Sequence, residues 1–284
     1  MDVRNLSQSE RAEFSSILNE KMEQPHLRDL ARNPMQLAIL LSLIHTRGSA
    51  LPDKRTSLYD AYVDLFFSRE ASKSVIVRRN IDLLKDIHRY LAWVLHTSAE
   101  SGRRRASGRL PTAELRTVLR DYLERENHPT IVLDEIFGAM LERVVMIVSR
   151  VEGTYEFEVQ PLREYFSARH LYDTASYSPP GIEKGGTKPD RFDAIARNAY
   201  WLNVTRFFCG CFTKGELLDL ADRVKELALD PTLGKTRHPY VLAAMLLSDW
   251  VFSQTPRAVN EIVSALSNRE ALRRLLPTRL SYRV

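Results

Sequence analysis

The sequence predicts a mainly α protein in three parts: a helical domain over residues 1–100, a winged-helix domain with a small β-hairpin over 109–175, and a second helical, solenoid-like domain over 190–284. Three observations predict it. Apolar residues recur at spacings of three and four along most of the chain, as in Leu84, Ile87, Leu91, Val94 and Leu95. One stretch breaks that rhythm: Val144-Val145-Met146-Ile147-Val148 and Tyr155 to Val159 are rich in β-formers and are separated by Glu152-Gly153-Thr154, the pattern of a hairpin. Two turn-rich segments then punctuate the chain. Ser101 to Gly108 is polar and glycine-flanked, and Ser176 to Asp190 carries Pro179, Pro180, Gly181, Gly185, Gly186 and Pro189, so 176–189 is expected to be a flexible loop.

The elements follow in order. Ser7 or Ser9 caps a first helix reaching about Met22, and Asn33 before Pro34 is a start signal, a side-chain oxygen followed by a residue that needs no donor. The helix from Met35 to Ile44 is apolar nearly all round and is expected to bury Leu37, Leu40, Leu41 and Ile44. Gly48 and Pro52 end it, and a helix over Ser57 to Ala71 presents Leu58, Ala61, Tyr62 and Leu65 on one face. A single helix is expected over Ile76 to Ser98. In the second part Thr112 is expected to cap a helix to Arg125, and Pro129 to open one whose apolar face is Val132, Ile136, Met140 and Leu141. A helix from Leu162 to about Thr174 closes the winged helix. Beyond the loop, segments near 191–212, 215–229, 238–253 and 256–276 suit antiparallel helix pairs.

Composition bounds the function. The 284 residues are 44% hydrophobic and 27% charged, enough apolar material for real cores. Lysine and arginine number 41 against 36 acidic residues, a net +5, far from the dense basic footprint of a nucleic-acid binder. Two cysteines, Cys209 and Cys211, give no disulfide framework and point to a reducing, cytoplasmic setting. No run approaches the roughly 18 apolar residues of a membrane span.

The chain offers no catalytic constellation. Gly234-Lys235-Thr236 imitates a phosphate-binding loop, but the glycine needed five residues before Gly234 is Leu229, and Pro231 and Pro239 flank a plain inter-helix turn. Ile131 to Glu135 imitates the acidic strand end of a nucleotide hydrolase, yet the apolar set continues at helical spacing through Ile136, Met140 and Val144, so Asp134 and Glu135 belong on a helix's solvent side. Two thiols fall short of the four ligands of structural zinc, and Phe207, Phe208 and Phe212 around Cys209 and Cys211 mark buried helix cysteines. Arg103-Arg104-Arg105 reads as a solvated linker. The helix that would read DNA exposes Asp134 and Glu135, which repel phosphate.

The segment Tyr155-Glu156-Phe157-Glu158-Val159-Gln160-Pro161-Leu162-Arg163-Glu164-Tyr165-Phe166-Ser167-Ala168, with Leu30 to Leu37 around Asn33-Pro34, Leu51-Pro52, Leu58-Tyr59 and Trp201, resembles the region after the ATPase core in NACHT-type STAND regulators, the group of animal NOD-like receptors and many bacterial defence proteins. The resemblance covers roughly residues 5–212. It implies a non-catalytic switch and relay module that works with an ATPase domain of the same or a partner chain, couples its ATP/ADP state to oligomerisation, and serves antiphage or innate immune defence. Pro34 then has the adenine-side role, to be completed by the absent core, while Asn33, Phe157, Glu164, Tyr165, Phe166 and Trp201 are interdomain or structural. The family's winged-helix histidine, which touches the β-phosphate of ADP, is replaced by Val159. Tyr165 and Phe166 are expected to fill the gap between the hairpin and the second helical domain, with Glu164 on a different side. No cofactor is expected in this chain alone. A winged-helix DNA-binding regulator and a helical interaction scaffold are the competing readings.

Overall fold

A computed structural model describes residues 7–24, 27, 28, 31, 34–100, 108–142, 146–149, 151–178 and 185–275. It is mainly helical with a small three-stranded sheet, as the periodicity requires. The chain divides into two compact units, one made of residues 1–57 with 178–284 and one of Leu58–Tyr177. These limits differ from the three-part division of the sequence. Residues 58–100 group with the hairpin region because the apolar face of one of their helices is spent on a helix that follows the hairpin.

In the first unit α1 (Gln8–Lys21) starts at Ser7 with a full capping box, the Ser7 side chain accepting from the Glu10 amide and Glu10 answering to the Ser7 amide. Lys21 is buried and pairs with Asp53 at 3.1 Å. Helix α2 (Pro34–Arg47) begins at Pro34 as expected and stops at Gly48, whose φ of +57° suits a residue without Cβ. Its burial is narrower than the composition suggested. Leu40, Leu43 and Ile44 are buried, but Leu37 and Leu41 are half-buried and Ala38 is exposed, so α2 lies on the side of its cluster and not at its centre. Helix α3 (Arg55–Lys73) begins in this unit.

The second unit takes α3 from Leu58 onward, then α4 (Val75–Arg79), α5 (Ile81–Glu100), β1 (Leu110–Pro111), α6 (Thr112–Arg125), α7 (Leu133–Glu142), β2 (Ile147–Val148), β3 (Thr154–Phe157) and α8 (Gln160–Asp173). The strands run β1-β3-β2, antiparallel, with Leu110 opposite Tyr155 and Ile147 opposite Phe157. The hairpin was legible in the sequence; the short β1 was not. Thr112 is no cap: it is the first helical residue, and its hydroxyl donates to the Gly153 carbonyl at 3.1 Å, tying α6 to the hairpin turn. Asp134 and Glu135 are exposed on α7, as the spacing required. Helix α5 buries Leu84, Ile87, Leu91 and Leu95, and its packing on α8 is the main seam of this unit.

The C-terminal helices of the first unit are α9 (Lys188–Ala196), α10 (Leu202–Cys211), α11 (Leu217–Leu229), α12 (His238–Ser248), α13 (Pro256–Leu266) and α14 (Arg269–Leu275). Thr187 with Asp190 and Thr213 with Glu216 form capping boxes ahead of α9 and α11. Helix α9 therefore starts inside the segment expected to be loop, of which residues 179–184 lie outside the described residues. Phe192, Phe207, Phe208, Leu220, Leu242, Leu246, Phe252 and Ile262 fill the core. Cys209 is buried on α10 as expected, whereas Cys211 is only half-buried. Gly234-Lys235-Thr236 lies in a 3-10 turn and its cap between two helices, not after a strand.

Candidate functional site

The site is built where β3 delivers the chain into α8. Val159 stands at the helix N-cap in extended conformation and gives no side-chain cap; Pro161 follows inside the first turn, and the Leu162 amide returns to the Val159 carbonyl. Phe157, Tyr165 and Phe166 are all buried. Their rings form a continuous cluster: Phe157 to Phe166 at 5.9 Å between centroids, Tyr165 to Phe166 at 5.2 Å, and Tyr59 of α3 to Tyr165 at 5.5 Å. The Tyr165 hydroxyl donates to Asp60 Oδ1 of α3 at 2.5 Å. Asp60 also lies 3.9 Å from Arg169, which reaches Asp173 at 3.5 Å; Arg89 of α5 approaches the same Asp173 at 3.5 Å and Asp86 at 2.6 Å. An alternating line of charge thus stitches α3, α8 and α5 along the rim of the aromatic cluster.

Tyr165 and Phe166 pack on α3 and α5 of their own unit, the helices whose apolar faces they complete. Glu164 is buried at 3% exposure, accepting from Gln160 Nε2 at 2.8 Å one turn earlier, so its carboxylate is held within α8. Of the other residues singled out, Pro34 is exposed at the start of α2 and Trp201 is buried in the turn before α10, where the Thr205 hydroxyl donates to its carbonyl. Both belong to the first unit. Asn33 and the Arg103-Arg104-Arg105 triplet lie outside the described residues.

Sequence reasoning missed His88. It sits on α5, fully buried, with Phe67, Phe157 and Phe166 around it at 5.6, 6.4 and 5.8 Å. Burial pushes it down to about 4, against the pull of its hydrogen bond to the Leu84 carbonyl. The signal was present: Leu84, His88, Leu91 and Leu95 share one helical face, and a histidine in that row is a core residue. Gly108 was named only as a linker residue. Its φ of +69° strains any residue with a Cβ, and a Cβ there would also stand 2.0 Å from the Arg163 Nη1 atom, so a side chain would have to push that guanidinium aside.

A second buried polar constellation holds the first unit. Asp249 takes Arg206 in a two-pronged pair, 2.7 Å to each oxygen, and Arg55 at 3.7 Å, while the Arg55 guanidinium lies 3.9 Å over the Phe207 ring. The Thr56 hydroxyl donates to the Phe207 carbonyl at 3.2 Å beside Gly210, whose missing side chain makes the approach possible.

Neither constellation aligns a nucleophile with a base. No cluster of histidine, cysteine, aspartate or glutamate able to hold a metal occurs among the described residues, and none of their helices is long and apolar enough to cross a membrane. The residues implied to face a nucleotide do not make a site by themselves: Pro34 offers no donor and Val159 no charge. Comparison with protein-family models, with curated proteins and with solved structures finds no match to this chain.

Proposed function

We propose that the chain is the non-catalytic regulatory module of a NACHT-type STAND ATPase, coupling nucleotide state and ligand sensing to oligomerisation, in a cytoplasmic antiphage or innate immune setting. The observation that carries this reading is the Glu164-Tyr165-Phe166 stretch: these three residues of the resemblance are buried where α8 meets α3 and α5, with Tyr165 hydrogen-bonded to Asp60. A module that relays movement needs a rigid body to move, and a helix locked by rings on one side and ion pairs along the rim is such a body. The nucleotide belongs to an ATPase domain in the same or a partner chain. This chain supplies no phosphate loop, since Gly234-Lys235-Thr236 lies outside the strand–loop–helix setting that such a loop needs. Its partners are that ATPase domain and further copies of the assembly.

The genomic sequence immediately upstream of Met1 tests the proposal. A phosphate-binding loop followed by an acidic strand end, in the same frame or in the adjoining gene, is the expected result. Its absence from both overturns the assignment and leaves the helical scaffold as the better description.

A further inference from the structure

His88 occupies a position that a neutral ring tolerates and a charged one does not. Its Nδ1 atom lies 2.6 Å from the Leu84 carbonyl, so Nδ1 carries the hydrogen and Nε2 holds a lone pair. Nε2 is buried without a hydrogen-bond partner. Phenyl rings from three elements close on it: Phe67 of α3, Phe157 of β3 and Phe166 of α8. The charged groups of those elements are engaged elsewhere. On α3, Asp64 pairs with Lys85 and Glu70 with Lys73, and Arg69 lies by Tyr62; on β3 and just after it, Glu156 pairs with Arg109 and Glu158 acts on Tyr62. On α8, Glu164 is held by Gln160, Arg163 faces His96, and Arg169 lies by Asp60 and Asp173. On α5 itself, Asp86 and Arg89 pair with each other.

We propose that His88 is a proton-operated release of the α5–α8 seam: a solvent proton taken up at Nε2 makes an imidazolium with no acceptor in its cage, and α8 with its Tyr165 and Phe166 parts from α5. Phenyl faces attract a cation, but they accept no strong hydrogen bond, and a buried charge without one is expelled to water. The sign follows from burial, which lowers the folded value to about 4 against the ordinary 6.5 of an unfolded histidine. Stability supplied by the neutral ring is complete above 6.5 and is lost as pH falls from there toward 4. His96, two turns along α5 and likewise lowered to about 4 by burial and by Arg163, acts in the same direction. The release is a property of this unit's own packing and stands whether or not the chain works beside an ATPase.

Hydrogen exchange of the α8 amides, corrected for intrinsic rates and followed from pH 7.5 downward on the full chain, is the experiment. In the wild type the opening constant should rise by up to on the order of 10-fold per pH unit for each buried histidine across the window. His88→Leu should remove one of those two contributions, and His88→Gln, polar but not titrating, should do the same. An unchanged pH slope in both variants overturns the proposal. Should neither variant fold, NMR of ring-labelled histidine in the wild type decides it: a His88 resonance silent while α8 stays protected supports the release, whereas one that titrates near its ordinary value with α8 still protected refutes it.

Discussion

Tyr165 does two things that separate substitutions resolve. Its ring is buried among Tyr59 and Phe166, and its hydroxyl reaches a half-exposed carboxylate on α3. Tyr165→Phe keeps the ring and should cost about 1–2 kcal/mol, the net worth of a hydrogen bond to a charged acceptor that water can partly replace. Tyr165→Ala should cost about 3–5 kcal/mol, because a cavity adds to the lost transfer energy. Denaturant unfolding of both variants checks the split, and equal losses would mean that the hydroxyl carries the whole effect. Glu164→Gln should change little, since the amide still accepts from Gln160 at the same place. In the first unit Gly210→Ala would bring a Cβ to 1.8 Å from the Thr56 Oγ1 atom, an overlap costing about 1–3 kcal/mol. Combining it with Thr56→Ala should cost less than the sum of the two single losses; strict additivity would show that the contact is not the source of the strain.

At the scale of elements, the places where helices were read too long share a cause. The stretch Ile76 to Ser98 is two helices parted at Asn80, residues 191–212 are two parted at Asn198, and 256–276 are two parted at Asn268. At two of them the asparagine side chain takes a backbone amide the helix would need, Asn198 accepting from the Tyr200 amide and Asn268 from the Ala271 amide, whereas the Asn80 side chain shares the Ile76 carbonyl with its own backbone amide. Apolar periodicity runs on through such a break because both halves pack on one core, so the period alone cannot reveal it. The hairpin and the Pro34 helix were legible because their signals are local. The site was legible in part: the Phe157 and Tyr165-Phe166 aromatics stood out, whereas Asp60 and His88 join them only through the packing of α3 and α5, separations that no local pattern encodes. The same reasoning gives a test of α2, where Leu40 is fully buried although two of its apolar neighbours are not. Leu40→Ala should lower stability by about 2–5 kcal/mol, while Leu41→Ala should cost clearly less; equal losses would place α2 at the centre of its cluster after all.

For the whole molecule, the competing readings differ in what the chain does with polyanions. A DNA regulator would hold phosphate through a basic face, and its affinity would fall steeply with added salt as counterions cease to be released. Here the net charge is +5, and the helix in the reading position exposes Asp134 and Glu135, with Arg116 already paired to Asp134. Titration of duplex DNA at low and moderate salt should therefore give weak binding without sequence preference. Nucleotide poses the sharper question. Tight ATP binding needs several backbone amides turned on the phosphates, a cation beside them and a metal held by an acidic strand end. The chain's one glycine-lysine-threonine run is a 3-10 turn and its cap, in which the Gly234 amide is spent on the Asp230 carbonyl and the Thr236 amide on that of Leu233. Those amides cannot also face a phosphate. Pro34 adds apolar contact alone, and Val159 at the head of α8 adds none of the charge that a histidine would bring. Calorimetry of the purified chain should accordingly show no heat beyond dilution for ATP or ADP, with and without magnesium, up to millimolar nucleotide. A micromolar dissociation constant would show that the chain builds a nucleotide site of its own, and the separation of relay from ATPase on which the proposed function rests would fall.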